Sequence, residues 1–252
     1  MEGYGPNTYG DRHAEVYDDL YERAFDVVGA VEMLARLAGE GRALELAIGT
    51  GRIAIPLAST GVEVVGIDAS QAMVAKLRQK VGGRDIEVHM GNFADVEVDG
   101  PFSLVYVVFN TFFALLTQED QLRCFRNVAN RLADTGVFVI EAFVPDLSRF
   151  DRNQRVEVTD MRLDEIRMDA SHHDPVAQRI DSQHIFLDRD GPRFYPVRLR
   201  YVWPSELDLM ARMAGLRLRE RCSGWRQEPF TSDSSNHVSI YERDHGPANE
   251  SS

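Results

Sequence analysis

Two glycines follow a short apolar segment in the stretch LELAIGTGRIA, residues 44–54. Gly49 and Gly51 at this spacing predict a turn whose backbone approaches a ligand closely. Residues 49–54 match the G-x-G-x-x-A form of the turn that binds the pyrophosphate of a dinucleotide. An acidic residue, Glu45, precedes the first glycine by four positions. The glycine spacing alone therefore leaves the class of ligand open.

Polar or aromatic residues also end three further apolar segments. Asp68 ends VVGID, and a carboxylate there can accept hydrogen bonds from both hydroxyls of a ribose. Asn92 and Phe93 place an amide beside an aromatic ring, a pair suited to the edge and face of a purine. The fourth segment opens into a loop at residues 109–111. Because ligands bind beyond the carboxyl ends of parallel strands, we expect these residues to share one site.

Strands and helices are predicted to alternate before residue 145. Apolar runs bounded by turn residues predict strands at residues 43–48, 62–68, 86–92, 102–109 and 137–143. Helices are predicted at residues 14–38, 51–59, 71–80 and from residue 118. Ser70 and Thr117 are the expected N-caps of the last two helices. This alternation predicts an α/β fold with a doubly wound, mostly parallel sheet.

The pattern changes after Pro145. Long runs of alternating polar and apolar residues, typical of antiparallel hairpins, occur at residues 155–168, 178–188 and 193–203. The sequences SHHDP and DRDGP are predicted as the turns between them. A helix near residues 205–214 and strands at 216–221 and 237–243 follow, and the two strands are expected to complete the main sheet as an antiparallel pair. The chain thus predicts an antiparallel insertion in the parallel core.

Composition excludes several classes of function. No apolar run approaches the roughly 20 residues needed to cross a bilayer, and the N-terminal residues lack a signal-peptide pattern, so we expect a cytoplasmic protein without membrane contacts. The net charge is −12, and the arginines are scattered, which disfavours a nucleic-acid partner. Cys124 and Cys222 are expected to be reduced, and neither has a neighbour at metal-ligand spacing, so no metal site is predicted.

Glu45 discriminates between the two ligand classes. A carboxylate just before the turn would repel a pyrophosphate but would favour an ammonium or a sulfonium. Dinucleotide-binding turns also tend to lie near the start of the chain, whereas about 40 residues precede this one. The favoured ligand is therefore positively charged and nucleoside-like, and S-adenosylmethionine fits this description.

The ordered motifs LELAIGTGR, VVGIDAS, GNF and FNTFFALL resemble those of class I S-adenosylmethionine-dependent methyltransferases over residues 14–145. The insertion resembles the substrate cap of small-molecule members such as amino-sugar N-methyltransferases and glycine N-methyltransferase. The resemblance implies a Rossmann-like core at residues 41–145 and 204–244, a helical lid at residues 1–40 and a cap at residues 146–203. Residues 245–252 are expected to form a disordered tail.

The resemblance also implies cofactor contacts. The methionine and ribose portion would be lined by Glu45, Ala47, Gly49 and Gly51. Ala47 stands where many members have glycine, and Asn92 stands where many have aspartate. Around the nucleoside, Asp68 would bind the ribose hydroxyls, Ala69 and Met73 would lie near the adenine, Asn92 would accept from the adenine amino group, and the Phe93 backbone would meet the ring. Phe109 is predicted as an aromatic residue of the same pocket.

Three residues are predicted to be catalytic: Asn110, near the methyl group and the substrate by resemblance, Tyr17, on the lid, and His172. A histidine has a suitable unperturbed pKa to act as a general base, although a solvated pair is the default interpretation of His172 and His173 in SHHDP. His184, on a cap strand, is an alternative base. Weaker candidates are Tyr9 and Tyr21 on the lid and Trp225, Arg226 and Phe230 in a loop, where an exposed tryptophan suggests a pocket wall.

The favoured function is methyl transfer to an oxygen, nitrogen or carbon nucleophile of a small organic acceptor. The arginine-rich, lysine-poor composition suggests bacterial secondary metabolism. An NAD(P)-dependent oxidoreductase is an alternative supported by the G-x-G-x-x-A match alone, and a non-catalytic cofactor-binding module is another. By analogy with similar proteins, the insertion could form a homodimer.

Overall fold

The computed structural model describes residues 1–21 and 25–246. Short helices come first: α1 at Thr8–His13, α2 at Tyr17–Tyr21 and α3 at Val27–Ala38. The single helix predicted over residues 14–38 is therefore wrong. The Asp26 side chain accepts a hydrogen bond from the Gly29 amide at 2.9 Å, so that a new helix begins at Val27. Residues 22–24 of the prediction lie outside the described residues.

The main sheet has seven strands in the order β10-β11-β5-β4-β1-β2-β3. Its parallel strands are β1 (Ala43–Leu46), β2 (Val64–Asp68), β3 (Glu87–Met90), β4 (Phe102–Val107) and β5 (Leu132–Phe143). The antiparallel edge consists of β10 (Leu216–Cys222) and β11 (Asn236–Arg243). The predicted mostly parallel, doubly wound sheet is confirmed, and its strand order reverses between β1 and β4, where open sheets of this kind bind ligands.

Helices cover this sheet. They are α4 (Ala54–Ala58), α5 (Gln71–Gln79), α6 (Gln118–Arg131) and α7 (Pro204–Met213), with one 3₁₀ turn at Thr111–Ala114. Both predicted caps are confirmed, because the Ser70 hydroxyl accepts from the Met73 amide and the Thr117 hydroxyl accepts from the Asp120 amide. Within residues 1–21 and 25–246, no helix is both long and apolar enough to cross a membrane.

The insertion forms a separate antiparallel sheet of four strands, not three. They are β6 (Gln154–Met161), β7 (Glu165–Asp174), β8 (Arg179–Asp188) and β9 (Gly191–Arg200), paired in that order. The predicted turn SHHDP is also wrong, because its first four residues belong to β7. The turn starts only after Asp174, whose carboxylate accepts from the amides of Val176 and Ala177 at 3.0 Å.

Candidate active site

Two cavities meet between the two sheets and the N-terminal helices. The first, here called the core cavity, has a volume of about 260 Å³ and includes Ala47, Gly49, Asp68, Ala69, Met73, Asn92 and Phe93 in its wall. The second, here called the cap cavity, has a volume of about 300 Å³ and includes Phe109, Asn110, Asp169 and His184. Both are lined by the same five residues: Tyr4, Tyr9, Tyr17, Thr111 and Ala114. The two cavities are therefore adjacent.

Asp68 lies at the carboxyl end of β2 with its side chain buried in the core cavity wall. Its two oxygens accept hydrogen bonds from the Gly49 amide at 2.7 Å and the Ser70 amide at 2.8 Å. Burial raises the pKa of this carboxyl group, and the amide hydrogen bonds oppose that effect. Each carboxylate oxygen has further acceptor capacity, so that Asp68 can hold the glycine turn and still accept from a ligand hydroxyl.

The glycine turn is built on left-handed backbone. Ala47 has a φ of 58°, Gly49 of 57° and Gly51 of 76°. The turn conformation explains why glycine suits the position of Ala47, since a β-carbon is unfavourable there. Gly51 does not line either cavity. A β-carbon on it would lie 3.0–3.1 Å from the side chains of Leu77 and Ile55, so that Gly51 allows α4 and α5 to pack closely.

Glu45 lies behind this turn and does not line either cavity. Its side chain is 3% exposed and accepts a hydrogen bond from the Tyr106 hydroxyl at 3.0 Å. Burial raises the pKa of Glu45 to about 8, with the nearby charge of Asp68 adding to the shift. Direct contact between Glu45 and a cofactor is thus not supported, but a cation in the core cavity would still favour its ionised form.

Glu45 should make stability depend on pH. Its pKa of about 8 in the folded state lies above the ordinary glutamic acid value of 4.5, so the folded protein keeps a proton that the unfolded chain loses. The free energy of unfolding should therefore fall as the pH rises from about 4.5 to about 8, by up to roughly 1.4 kcal/mol per pH unit. Urea unfolding of Glu45→Gln should show a flatter pH profile than the wild type, while Glu63→Gln, at an exposed ion pair, should not. Parallel profiles for the wild type and Glu45→Gln would contradict this prediction.

Asn92 and Phe93 lie together in the core cavity wall, as predicted. The Asn92 side-chain oxygen accepts from the Ala94 amide at 3.0 Å, so the loop uses one of its acceptor positions. Met73 and Phe93 are both buried and supply apolar surface for a flat ring. The proposed adenine contacts at these positions stay predictions.

The polar side chains of the glycine turn bind helix α2. The Thr50 hydroxyl donates to Asp18 at 2.7 Å, and the Arg52 guanidinium donates to the backbone oxygens of Tyr17 and Tyr21. Arg52 also lies 5.0 Å from the centre of the Tyr17 ring. The turn thereby holds the segment that supplies two tyrosines to the cap cavity. Arg52 directly follows the two glycines in the sequence, but nothing local predicts its contact with α2, which lies 31 to 35 positions earlier.

Asn110 and Phe109 line the cap cavity on a strained loop after β4, so Phe109 is not in the wall of the core cavity, where it was predicted. Both have left-handed φ values, 64° and 58°. The loop is held by β5, because the Phe109 amide donates to the Glu141 carboxylate at 3.0 Å and the Phe143 amide donates to Asn110 Oδ1 at 2.6 Å. The other polar atom of the Asn110 side chain, Nδ2, is a hydrogen-bond donor, which makes Asn110 suited to orient a ligand.

Trp225 is not the exposed pocket wall that the sequence suggested. It is 5% exposed, and its indole N–H donates to the other Glu141 oxygen at 2.8 Å. Arg226 forms an exposed ion pair with Asp26, and Phe230 packs near His237. None of the three lines either cavity. The polar loop sequence did not predict this burial because the partner of the indole is a carboxylate on β5, far away in the chain.

The three cap histidines have different environments. His172 is exposed on β7 and does not line either cavity, so the structure does not support its predicted role as the base. His173 is buried, with Nε2 2.9 Å from the Tyr201 hydroxyl, and burial lowers its pKa. His184 lines the cap cavity with its Nδ1 2.5 Å from Asp169. Asp169 was missed because only the pairing of β7 with β8 places it opposite His184.

The fold and the core cavity define a Rossmann-like protein with a cavity at the reversal point of its sheet. The family described as a methyltransferase domain matches residues 43–136. The cypemycin N-terminal methyltransferase of Streptomyces sp is 30% identical over 243 residues, which cover 90% of this chain and 98% of that protein. The chain belongs to the S-adenosylmethionine-dependent methyltransferases.

Solved structures agree with this assignment. The CcbJ methyltransferase from Streptomyces caelestis superposes with a TM-score of 0.90 at 38% identity, covering 95% of this chain and 99% of that one. The S-adenosylmethionine-bound CalS10, an amino pentose methyltransferase from Micromonospora echinaspora, has a TM-score of 0.68 at 21% identity, covering 89% and 96%, and shares the fold. The cofactor is S-adenosylmethionine, and the dinucleotide alternative is wrong.

The residues of the core cavity fit this cofactor. Asp68 retains acceptor capacity for ribose hydroxyls, Met73 and Phe93 offer an apolar wall, and Asn92 offers an amide. When bound, the cofactor supplies a methyl group activated by a positively charged sulfur. Within the described parts of the chain, no group of three or more histidine, cysteine or acidic side chains could hold a metal ion.

Helix α1 closes the core cavity through one glycine. A β-carbon on Gly10 would lie 2.4 Å from the β-carbon of Ser70. The Ser70 hydroxyl also donates a hydrogen bond to the Asp11 carboxylate at 2.6 Å. Gly10→Ala should therefore displace α1 and weaken S-adenosylmethionine binding roughly tenfold, about 1.4 kcal/mol, by calorimetry. Gly91→Ala is the matched control, since its β-carbon would meet no atom within 4 Å and Gly91 lines neither cavity. Equal affinities for both variants would contradict closure by α1.

Proposed function

We propose that this enzyme methylates an amine nitrogen of a small organic acceptor in bacterial secondary metabolism. The observation that carries the proposal is the common wall of the two cavities, where Tyr9 and Tyr17 line both. An acceptor in the cap cavity would there meet a methyl donor in the core cavity. Alignment of two reactants with exclusion of water is the main contribution that an enzyme makes when the donor is already activated.

The tyrosines at this junction favour a cationic amine. Tyr9, Tyr17 and Tyr21 line the cap cavity, and burial raises the pKa of each phenol, so that all three are neutral. Neutral aromatic rings attract ammonium groups through their π faces, and also a sulfonium. An alcohol would gain no such attraction. We therefore expect the cap cavity to prefer an amine over a hydroxyl of the same shape.

Relatives support the same choice. One is named as an N-terminal methyltransferase, and another as an amino pentose methyltransferase. The second is involved in calicheamicin biosynthesis. The arginine-rich, lysine-poor composition of this chain also agrees with a role in bacterial secondary metabolism.

The test is release of S-adenosylhomocysteine with acceptors in matched pairs. Each amine, an amino sugar or a short peptide with a free N-terminus, is compared with the alcohol of the same skeleton. We expect turnover of amines and at least tenfold lower kcat/KM for the alcohols. Preference for the alcohols would overturn N-methylation. Tight cofactor binding without turnover of any acceptor would instead favour the non-catalytic module.

We further propose that residues 1–40 act as a lid and residues 146–203 as the cap that selects the acceptor, in a cytoplasmic protein without a nucleic-acid partner. A homodimer through the cap sheet is supported by the edge strand β6, where Val156 is 74% and Val158 50% exposed. Light scattering that gives a monomer mass at all concentrations would contradict the dimer.

A further inference from the structure

We propose that His184 takes the proton that a bound ammonium must lose before it can be methylated, and that Asp169 orients its imidazole. This inference rests on the proposed amine acceptor. An ammonium has no lone pair, and an amine bound through its positive charge must therefore be deprotonated inside the cavity. The cap cavity thus needs a group that accepts one proton at neutral pH.

The geometry of the cap sheet places this pair. Asp169 on β7 and His184 on β8 are directly opposite one another in the antiparallel register, and both line the cap cavity. Their side chains retain 31% and 25% exposure, so that a ligand can reach them. Cross-strand partners are neighbours on one face of a sheet. The pairing of β7 with β8 therefore holds the two side chains together, and no loop is needed to position them.

The hydrogen bond to Asp169 determines which nitrogen is basic. His184 Nδ1 lies 2.5 Å from Asp169 Oδ1, and a carboxylate can only accept, so Nδ1 carries the proton of the neutral ring. Nε2 then has a free lone pair that can accept a proton. A histidine oriented by a carboxylate in this way is suited to general-base catalysis.

The proton transfer balances within the site. The N–H bond of the ammonium breaks, its electron pair stays on nitrogen as the lone pair that attacks, and the proton bonds to Nε2. The resulting imidazolium forms an ion pair with Asp169. The proton returns to solvent from Nε2 after the product leaves.

Other titratable groups of the cavity are less suited. His13, whose ring centre is 6.2 Å from that of His184, is fully buried, and burial lowers its pKa to about 4. The phenols of Tyr9 and Tyr17 hold their own protons because burial raises the pKa of each. Other titratable or charged groups around the pair are Tyr4 from the N-terminal segment, Tyr21 from α2, Arg149 before β6, Arg155 on β6, and Tyr195 and Arg198 from β9.

Kinetics with the most active amine of the panel test this role. His184→Gln should lower kcat roughly 100-fold at neutral pH, and the loss should shrink as the pH approaches the pKa of the amine, because solvent then removes the proton. Added imidazole should partly restore the rate, and Asp169→Asn should show a smaller loss of the same form. S-adenosylhomocysteine affinity should change less than twofold. His89→Gln, on β3 outside both cavities, is the control.

Two kinetic outcomes would overturn the inference. An unchanged pH profile of kcat in His184→Gln would show that His184 takes no proton. A loss of kcat in His172→Gln together with a normal kcat in His184→Gln would show that His172, on the exposed side of β7, is the base. Failure of every amine while alcohols are methylated would overturn the proposed function itself.

Nitrogen-15 NMR of the labelled imidazoles tests the tautomer of His184 without an acceptor. In the S-adenosylhomocysteine complex, we expect neutral His184 as the Nδ1–H tautomer, and we expect Asp169→Asn to reduce that tautomer. The Nε2–H tautomer in the wild type would overturn the inference, whatever acceptor the enzyme uses.

Discussion

Replacement of Asp68 by alanine should weaken the binding of S-adenosylmethionine and S-adenosylhomocysteine about equally, by roughly 1.5–3 kcal/mol, or about 10- to 150-fold. The ribose is common to both ligands, and its hydroxyls would lose a charged acceptor. The Asp68 oxygens also hold the amides of Gly49 and Ser70, so the alanine variant leaves these donors without their partner. Calorimetric titration measures the loss directly.

Two comparisons separate the ribose contact from the turn. Asp68→Asn retains one acceptor oxygen and should fall between the wild type and Asp68→Ala. Adenine alone lacks the ribose, so its weak affinity should be affected much less than that of the nucleosides. Equal losses for adenine and for the nucleosides would show that Asp68 acts only through the backbone of the glycine turn.

Arg52→Gln should lower kcat/KM for the acceptor roughly 30-fold, about 2 kcal/mol, with a smaller effect on cofactor affinity. The reason is that Arg52 fixes α2 through the backbone oxygens of Tyr17 and Tyr21, and these tyrosines line the cap cavity. Its side chain is 12% exposed, so glutamine leaves both carbonyl groups without a charged donor. Steady-state kinetics with the best amine test this expectation.

Two variants serve as controls for Arg52→Gln: one keeps the charge at the same position, and the other removes a charge at a different position. Arg52→Lys keeps the charge but lacks the planar fork that reaches two carbonyls, and it should recover only part of the activity. Arg36→Gln removes an exposed charge from α3 and should leave kcat/KM within twofold of the wild type. Limited proteolysis should cleave the N-terminal segment of Arg52→Gln faster than that of the wild type. Normal kinetics in Arg52→Gln would mean that α2 does not depend on this contact.

The core of the fold was predictable because its signals are local. β1, β2 and β4 are apolar runs that end at glycine, aspartate or a loop, and the Ser70 and Thr117 caps mark helix starts by residue type. The break between α2 and α3 was missed because apolar spacing continues across it. The four-stranded cap was predicted as three runs, since alternation persists through the short turn between β6 and β7.

The residues of the core cavity were predicted from local motifs, whereas the pairing of side chains across the cap sheet was not, for a physical reason. Ala47, Gly49 and Asp68 belong to short motifs at strand ends, so local sequence places them together. His184 and Asp169 lie 15 positions apart and meet only through strand register. Trp225 and Glu141 are 84 positions apart, and their hydrogen bond removed the tryptophan from the surface. Long-range pairing of this kind has no local signature.

The most direct test of the central claim is the fate of a labelled methyl group. The enzyme is incubated with S-adenosylmethionine carrying a carbon-13 methyl and with a mixture of matched amines and alcohols, and the product is observed by NMR, where N-methyl, O-methyl and C-methyl carbons have distinct shifts. The two-cavity account predicts an N-methyl signal that disappears in Asp68→Ala under limiting cofactor and decreases in His184→Gln. A product methylated only on oxygen or carbon would contradict amine methylation at this junction.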